Sequence, residues 1–476
     1  MKNTLAKNAA FNIIYRVLNV VFPLISAGYL SRILAPEGIG KVSYAQNIVS
    51  YFVMFAALGI PSYGTREIAR LKNEPGEANK LFSELVLINA ISTFVCIAAY
   101  YVFIFTAFSR DYLLYAVLGL ELFFNFISID WLYQGKEEYV YITVRSILIK
   151  FFSLLLLFIF VRDWQDYISY AMISCLAVGS NYFFNVFHAR KSVKLSFRDL
   201  NCGKHLKPVL ILMLSTVMAS LYSKVDITML GSSSTDEAVG FYTNAHKVVN
   251  IILTLVTAIT AVYLPRLSYI YQNEREKYEE FLTTGVKIVL LLAMPCCFGL
   301  LVVADDLTMV LFGKAFAPAA ATIRILAILI LIKGVGDLLC YQAIISSGNE
   351  KHLVKSRVLA GIANIVLNSI LISRYAQNGA AIASVISELI VNGILLRYSL
   401  STIKLKIEHR FVWSIVLSTA VMSVLAWWGR GQIRNVVLSL VFSVTVGALG
   451  YFAAALLLKN DVLCAAISAV KNKLKK

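Results

Sequence analysis

With 59% of its 476 residues hydrophobic and only 15% charged, this chain is too apolar for a water-soluble globule, and a crossing helix needs only about 20 predominantly apolar residues. Its net charge of +17, from 44 Lys and Arg against 27 Asp and Glu, is spread over many short segments. That spread excludes a nucleic-acid-binding domain, whose basic residues would gather on one soluble face.

In chain order the apolar stretches fall at roughly 11–33, 41–60, 84–106, 112–134, 140–161, 166–187, 208–230, 241–263, 281–304, 318–346, 355–373, 378–396, 411–428 and 435–458. Runs of this length are helices, because a barrel would show alternating segments of about ten residues. The sequence therefore predicts an all-α polytopic membrane protein of about 14 transmembrane helices. The first run follows Lys2 and Lys7 but is interrupted by Asn12, Arg16 and Asn19, so it reads as a retained span rather than a signal peptide.

Lys and Arg alternate between the two sides of these spans. With residues at span edges assigned to the adjoining loop, 27 fall on the side of the N-terminus, 8 on the other and nine inside spans, which accounts for all 44. The positive-inside rule then places both termini in the cytoplasm. Beyond the last span Leu463, Ile467, Val470 and Leu474 form a helical stripe beside Lys471, Lys473, Lys475 and Lys476, which reads either as a helix on an anionic leaflet or as a frayed tail.

Glu37, Gly38, Ile39, Gly40 and Ala45 match Glu237, Ala238, Val239, Gly240 and Ala245 at a separation of 200 residues. A parallel repeat of this kind predicts two pseudo-symmetric six-helix bundles around a central cleft, followed by two C-terminal helices. The corresponding domains are 1–207, 208–400 and 401–476, the last including the basic tail.

No motif points to an enzyme. The seven cysteines and five histidines show no metal-ligand spacing, and the neighbours Asp305 and Asp306 close a span without another ligand in sequence, so no metal or other cofactor is expected. The outward loops, about 231–240 and 305–317, are too short for the soluble domain that membrane glycosyltransferases and ligases carry.

The stretch Tyr29 to Arg70 (YLSRILAPEGIGKVSYAQNIVSYFVMFAALGIPSYGTREIAR) is similar to the first-loop signature of bacterial polysaccharide repeat-unit flippases, the Wzx-type O-antigen transporters. Asp130 to Arg145 (DWLYQGKEEYVYITVR) and Ser346 to His352 (SSGNEKH) resemble later cytoplasmic turns of that family, which lies in the multidrug/oligosaccharidyl-lipid/polysaccharide exporter superfamily. The resemblance implies an inner-membrane protein that moves an undecaprenyl-pyrophosphate-linked oligosaccharide from inner to outer leaflet. Its partners would be that substrate, membrane lipids and the polysaccharide polymerase and chain-length machinery. An ion-coupled multidrug exporter of the same fold and a membrane enzyme of sugar-lipid assembly are the alternatives.

An ionisable residue inside a span costs roughly 2.5–3.5 kcal/mol on insertion scales, so the nine basic ones ask for a reason. Polar stripes with helical spacing supply one: Asn12, Arg16 and Asn19; Thr216, Ser220 and Lys224; Lys247, Asn250, Thr254 and Thr257; Arg357, Gly361, Asn364 and Asn368. They predict a cationic cleft for a pyrophosphate, with Arg16, Lys224, Lys247, Arg145 and Arg357 as its charges. Asn12, Asn19, Thr216, Ser220, Asn250, Asn364 and Asn368 would line it. Arg145, Lys287 and Arg357 lie near span ends and have snorkelling as an alternative, as has Arg324. Lys333 and Asp337, four residues apart, are expected to neutralise each other. Glu121, Asp130, Asp226 and Glu388 are candidates for ion coupling, with structural pairing as the other reading.

The charge bias gives the first testable outcome. Reporter fusions at Ser192 and Lys404 should report the cytoplasm, and fusions at Ser234 and Lys314 the outside; a stable exchange of sides would break the span map.

Overall fold

The structure, a computed structural model, describes the backbone of residues 2–107, 111–190, 192–196, 200–260, 263–346, 351–403 and 405–474, with side chains described, with gaps, from Val21 to Ser468. Every regular element among these residues is helical. The chain forms two compact units, Met1–Gly231 and Ser232–Lys476.

The first unit begins with α1 (Lys2–Ala57), which carries a break at Ala35 (φ 56°). Pro36 explains the break, since the residue before a proline is pushed out of helical geometry. Both sides of the break touch the turn after α7 (Tyr139–Phe160): Tyr29 Oη donates to the Val161 carbonyl at 2.6 Å, and Gly38 packs beside the Trp164 carbonyl. The chain thus folds back where the sequence separates its first two spans. Next come α2 (Ile60–Arg70) and α3 (Pro75–Ala107).

The stretch expected as one span at 112–134 is instead broken into α4 (Tyr112–Leu118), α5 (Leu120–Asn125) and α6 (Asp130–Gly135). The break is tolerated because α3 satisfies the freed groups: Asn89 Nδ2 donates to the Asn125 carbonyl at 2.6 Å, and Asn125 Nδ2 donates to Thr93 Oγ1 at 2.7 Å. After α7 follow α8 (Tyr167–Ala189) and α9 (Gly203–Ser233). Among the described residues, two apolar clusters hold this unit. One joins Val42, Ala45 and Val49 to Tyr100, Leu118 and Ala171; the other joins Ile60, Leu85, Trp131 and Tyr133.

The second unit contains α10 (Asp236–Thr260), α11 (Tyr263–Asn273), α12 (Arg275–Phe312), α13 (Ala319–Gly336), α14 (Ala343–Ser346), α15 (Lys351–Thr402), α16 (His409–Gly429), α17 (Val436–Leu457) and α18 (Asp461–Leu474). A single π-turn, Asp337–Gln342, joins α13 to α14. Helix α13 is apolar on most faces and buries Ile323, Leu326, Ala327 and Ile330, as a helix surrounded by others must. Helix α15 breaks at Ala376 (φ 45°), between the eleventh and twelfth expected spans. A Cβ on Gly379 would stand 2.2 Å from the Leu371 carbonyl oxygen, so the fold-back at this point requires glycine.

Among the described residues, seven helical stretches are long and apolar enough to cross a membrane: Val21–Arg70, Pro75–Thr106, Tyr139–Phe160, Lys277–Phe312, Lys351–Leu400, His409–Gly429 and Val436–Leu457. The first and fifth contain the two breaks. Expected spans at 166–187, 208–230, 241–263 and 318–346 fall largely on α8, α9, α10 and α13 with its π-turn and α14. Large apolar side chains face outward, among them Phe94, Phe105, Leu449 and Leu457, which suits a lipid surround.

The described residues between α8 and α9 have no regular structure, yet three of their backbone donors are satisfied by α3. Lys194 N–H donates to Asn79 Oδ1 (2.9 Å), Ser196 N–H to Ser83 Oγ (2.8 Å) and Asn201 N–H to Glu84 Oε1 (2.7 Å). Glu84 is fully buried and also meets His205 Nε2 at 2.7 Å and Lys204 Nζ at 3.1 Å, while His205 Nδ1 lies 2.7 Å from Tyr63 Oη. Breaking a buried pair costs roughly 3–5 kcal/mol, and Glu84→Ala should cost about 3 kcal/mol because half-exposed Lys204 can return to water. Thermal unfolding of the purified protein should show a clear drop for Glu84→Ala and a smaller one for Glu84→Gln; an unchanged midpoint for both would contradict this role.

Candidate functional site

Within the first unit a polar constellation forms where the second arm of α1 meets α9. Asn47, Ser50 and Tyr51 share one helix face because they stand three and four residues apart. On α9, Lys224 and Thr228 face them. Lys224 Nζ donates to Ser50 Oγ at 2.6 Å, Asn47 Nδ2 donates to Thr228 Oγ1 at 2.7 Å, and Tyr51 Oη lies 2.8 Å from Thr228 Oγ1. The ammonium also lies 6.0 Å from the Tyr51 ring centroid. Close approach of the two helices depends on Gly231, where a Cβ would stand 2.2 Å from the Tyr44 ring.

Lys224 has hydroxyl and ring partners but no carboxylate within ion-pair distance among the described residues. Glu121 on α5 interacts with it only through the longer-range field. Ser220 and Thr216 continue the same stripe along α9, with Thr216 exposed and Ser220 half-buried. The side chains of Asn12, Arg16 and Asn19 lie outside the described residues.

The other expected cation of this unit is closed off. Arg145, on α7, is buried and pairs with Asp130 (3.0 Å) and hydrogen-bonds Asn185, whose Nδ2 donates to the same carboxylate at 2.6 Å. The structure thus brings together two residues that the sequence assigned to different roles, Arg145 to the anion and Asp130 to ion coupling. Asp226 is buried on α9.

In the second unit, half-buried Lys247 makes no hydrogen bond or ion pair among the described residues. Its stripe neighbour Asn250 is exposed and lies 3.0 Å from His246 Nδ1. On α15, Asn364 and Asn368 are buried and bonded to each other at 3.1 Å, whereas Arg357 is exposed and sits 5.3 Å from the Tyr341 ring centroid.

Lys333 and Asp337 do not neutralise each other, contrary to expectation. The π-turn that starts at Asp337 widens the helix and carries the carboxylate to Thr260 and to Gln342 Nε2 (2.9 Å), while Lys333 reaches Glu388 at 3.8 Å. Asp305 and Asp306 meet arginines: Arg324 at 2.5 Å from Asp305, and Arg430 at 2.7 Å from Asp306. No group of three or more potential metal ligands occurs among the described residues.

Sequence reasoning missed Asn47, Ser50, Tyr51 and Thr228. Their signal was present, since N, S and Y recur at three- and four-residue spacing inside an otherwise apolar span.

A family model described as "Polysaccharide biosynthesis protein" matches residues 5–271. A candidate O-antigen transporter of Escherichia coli (strain K12) is 24% identical over 83% of this chain and 97% of its own. Among solved structures, the lipid II flippase MurJ in an inward closed conformation superposes with a TM-score of 0.77 at 15% identity, covering 96% of this chain and all of the other. An inward-facing multidrug resistance MATE family transporter of the MOP superfamily gives a TM-score of 0.62 at 14% identity, covering 83% of this chain and 97% of the other. At these identities the structural likenesses show the fold alone.

If the α9 stripe is wetted, cysteines placed at Ser220 and Asn19 in a cysteine-free background should react with a small water-soluble thiol reagent. Cysteines at the outward-facing positions Phe94 and Leu449 should not. Equal protection at all four would remove the aqueous face from this assignment.

Proposed function

This chain belongs to the polysaccharide biosynthesis protein family, and from that premise we propose that it is a flippase carrying a lipid-linked polysaccharide repeat unit across the bacterial inner membrane. Its substrate is an undecaprenyl-pyrophosphate-linked oligosaccharide, moved from inner to outer leaflet by alternating access. The polar head occupies the cleft and the lipid tail stays in the bilayer. The expected fourteen spans, in two six-helix bundles with an appended pair, and both termini in the cytoplasm belong to the same proposal. The breaks at Ala35 and Ala376 and the 27-to-8 charge bias support it.

One observation carries the substrate chemistry. Among the cations placed inside spans, Arg145, Lys287, Arg324 and Lys333 each have a carboxylate partner. Lys224, Lys247 and the exposed Arg357 have none among the described residues. An uncompensated cation in a span is costly, and a transiently bound anion is a partner that offsets the cost during transport. Arg16 joins them on its sequence stripe. A multidrug exporter for cationic drugs would instead want free carboxylates; Asp130 and Glu388 are engaged with Arg145 and Lys333, and Glu121, which has no ion pair among the described residues, lies in the field of Lys224.

The test is complementation of a strain lacking its repeat-unit flippase, scored by surface polysaccharide at matched protein abundance. A charged hydrogen bond is worth roughly 1.5–3 kcal/mol, so Arg16→Gln, Lys224→Gln and Lys247→Gln should each reduce transport about ten-fold or more. Arg16→Lys should keep part of the activity, because the charge remains and the bidentate fork is lost. Glu at these positions should be worse than Gln. Normal transport by the Gln and Glu variants at all three positions would remove the residue-level support for an anionic substrate.

A further inference from the structure

Away from the Lys224 constellation, α7 and α8 leave a groove of about 490 Å³ between them. Its α7 wall is Tyr141, Val144, Arg145, Leu148, Ile149 and Phe152, a stripe at helical spacing; its α8 wall is Phe184, Phe187 and His188. From Tyr141 to Phe152 the rise of about 1.5 Å per residue gives a length of about 17 Å, close to half of the roughly 30 Å hydrocarbon core. The groove therefore runs about the depth of one leaflet. Leu148, Phe152 and Phe184 are each more than half exposed, so this wall faces the surrounding lipid.

The two ends of the groove differ in chemistry. The Phe152 end is apolar. At the other end the helices are tied together: Tyr141 Oη donates to the Phe184 carbonyl at 3.0 Å, and its ring stacks on His188 at 4.1 Å. His188 Nε2 faces Glu138 at 3.3 Å and Arg145 is held by Asp130, but the buried Arg145 Nε has no hydrogen-bond partner. Two further cations belong to the segments that adjoin this end, without a carboxylate in ion-pair range among the described residues, although Lys136 lies in the field of Glu138. Lys136 Nζ donates to the Ser192 carbonyl at 3.2 Å, and the Arg190 guanidinium lies 5.0 Å from the centroid of the Phe187 ring that lines the groove.

An apolar channel about one leaflet deep, with cations beside one end that have no ion-pair partner, suits one acyl chain of a phospholipid and its anionic head. We propose that the α7–α8 groove is a binding site for an anionic glycerophospholipid, with an acyl chain along the Val144–Phe152 stripe and the phosphate between Lys136 and Arg190. The leaflet is the inner one on the orientation proposed above. A polyprenyl carrier is a poorer occupant, because its chain would overrun a channel of this length.

Delipidated full-length protein should be titrated with dioleoylphosphatidylglycerol or dioleoylphosphatidylcholine and followed by native mass spectrometry, an assay that does not depend on transport. The wild type should retain one phosphatidylglycerol in preference to phosphatidylcholine. Lys136→Gln with Arg190→Gln should weaken phosphatidylglycerol binding about ten-fold or more and leave phosphatidylcholine unchanged, given what each basic residue near an anionic lipid contributes. Leu148→Trp, which fills the groove from an exposed position, should abolish the tight site, whereas Leu449→Trp should not. A phosphatidylglycerol with a photoreactive acyl chain should label wild-type peptides spanning 141–152 and 184–188, which needs no variant to fold. Equal binding of the two lipids by the wild type, undiminished phosphatidylglycerol binding by Leu148→Trp, or labelling confined to other helices would overturn the site.

Discussion

A charge inside hydrocarbon must find a partner or water, and most of this structure's polar architecture follows from that constraint. Four of the cations set in spans are closed by carboxylates, and each closure joins separate parts of the chain. Arg145 with Asp130 fastens α7 to α6, Lys287 with Asp461 fastens α12 to the start of α18, Arg324 with Asp305 fastens α13 to α12, and Lys333 with Glu388 fastens α13 to α15. These pairs act as struts, most firmly where removing the carboxylate would strand a buried cation, as for Arg145 and Lys287. Lys224, Lys247 and Arg357 stand outside this scheme, and the two lysines carry the functional argument because they are half-buried where Arg357 is exposed.

The same constraint governs the backbone. Where a helix ends or breaks inside its unit, nearby side chains take up the freed groups, as Asn89 does at the end of α5 and as Asn79, Ser83 and Glu84 do for the segment before α9. Fold-backs at Ala35 and Ala376 use a single non-helical residue each, with Pro36 forcing the first and Gly379 permitting the second. Such short connections fix the register of the neighbouring helices, so the polar stripes on their faces are held at defined heights.

The apolar runs were legible because hydropathy reports the environment of a whole segment, and the two fold-backs lie in gaps that the run lengths already marked. Breaks inside a run were not legible. The stretch 112–134 is apolar throughout, and only the partners offered by α3 let it divide into three helices. Side-chain pairing was the least legible part. Spacing of four residues suggested Lys333 with Asp337, but a π-turn changes the face that Asp337 presents, and nothing in the local sequence announces it. Asn364 and Asn368 keep their stripe yet are buried against each other, because periodicity shows which residues share a face and not what covers that face. Glu84 escaped notice for a related reason: its partners His205 and Lys204 lie about 120 residues away.

A transported anion has to be held and then released, which sets a limit on how strong its site can be. A carboxylate partner would satisfy Lys224 permanently and leave nothing for a substrate. Ser50 and Tyr51 do something different: they fix the position of the ammonium through a hydroxyl and a ring face while leaving its charge uncompensated. Two opposite unit charges 4 Å apart attract by about 4 kcal/mol at an effective dielectric of 20, enough to favour a phosphate at this position but small beside the cost of a buried charge in dry hydrocarbon. The field of Glu121 opposes that attraction. On the proposed function, this balance is what allows one lysine to receive a pyrophosphate and give it up again.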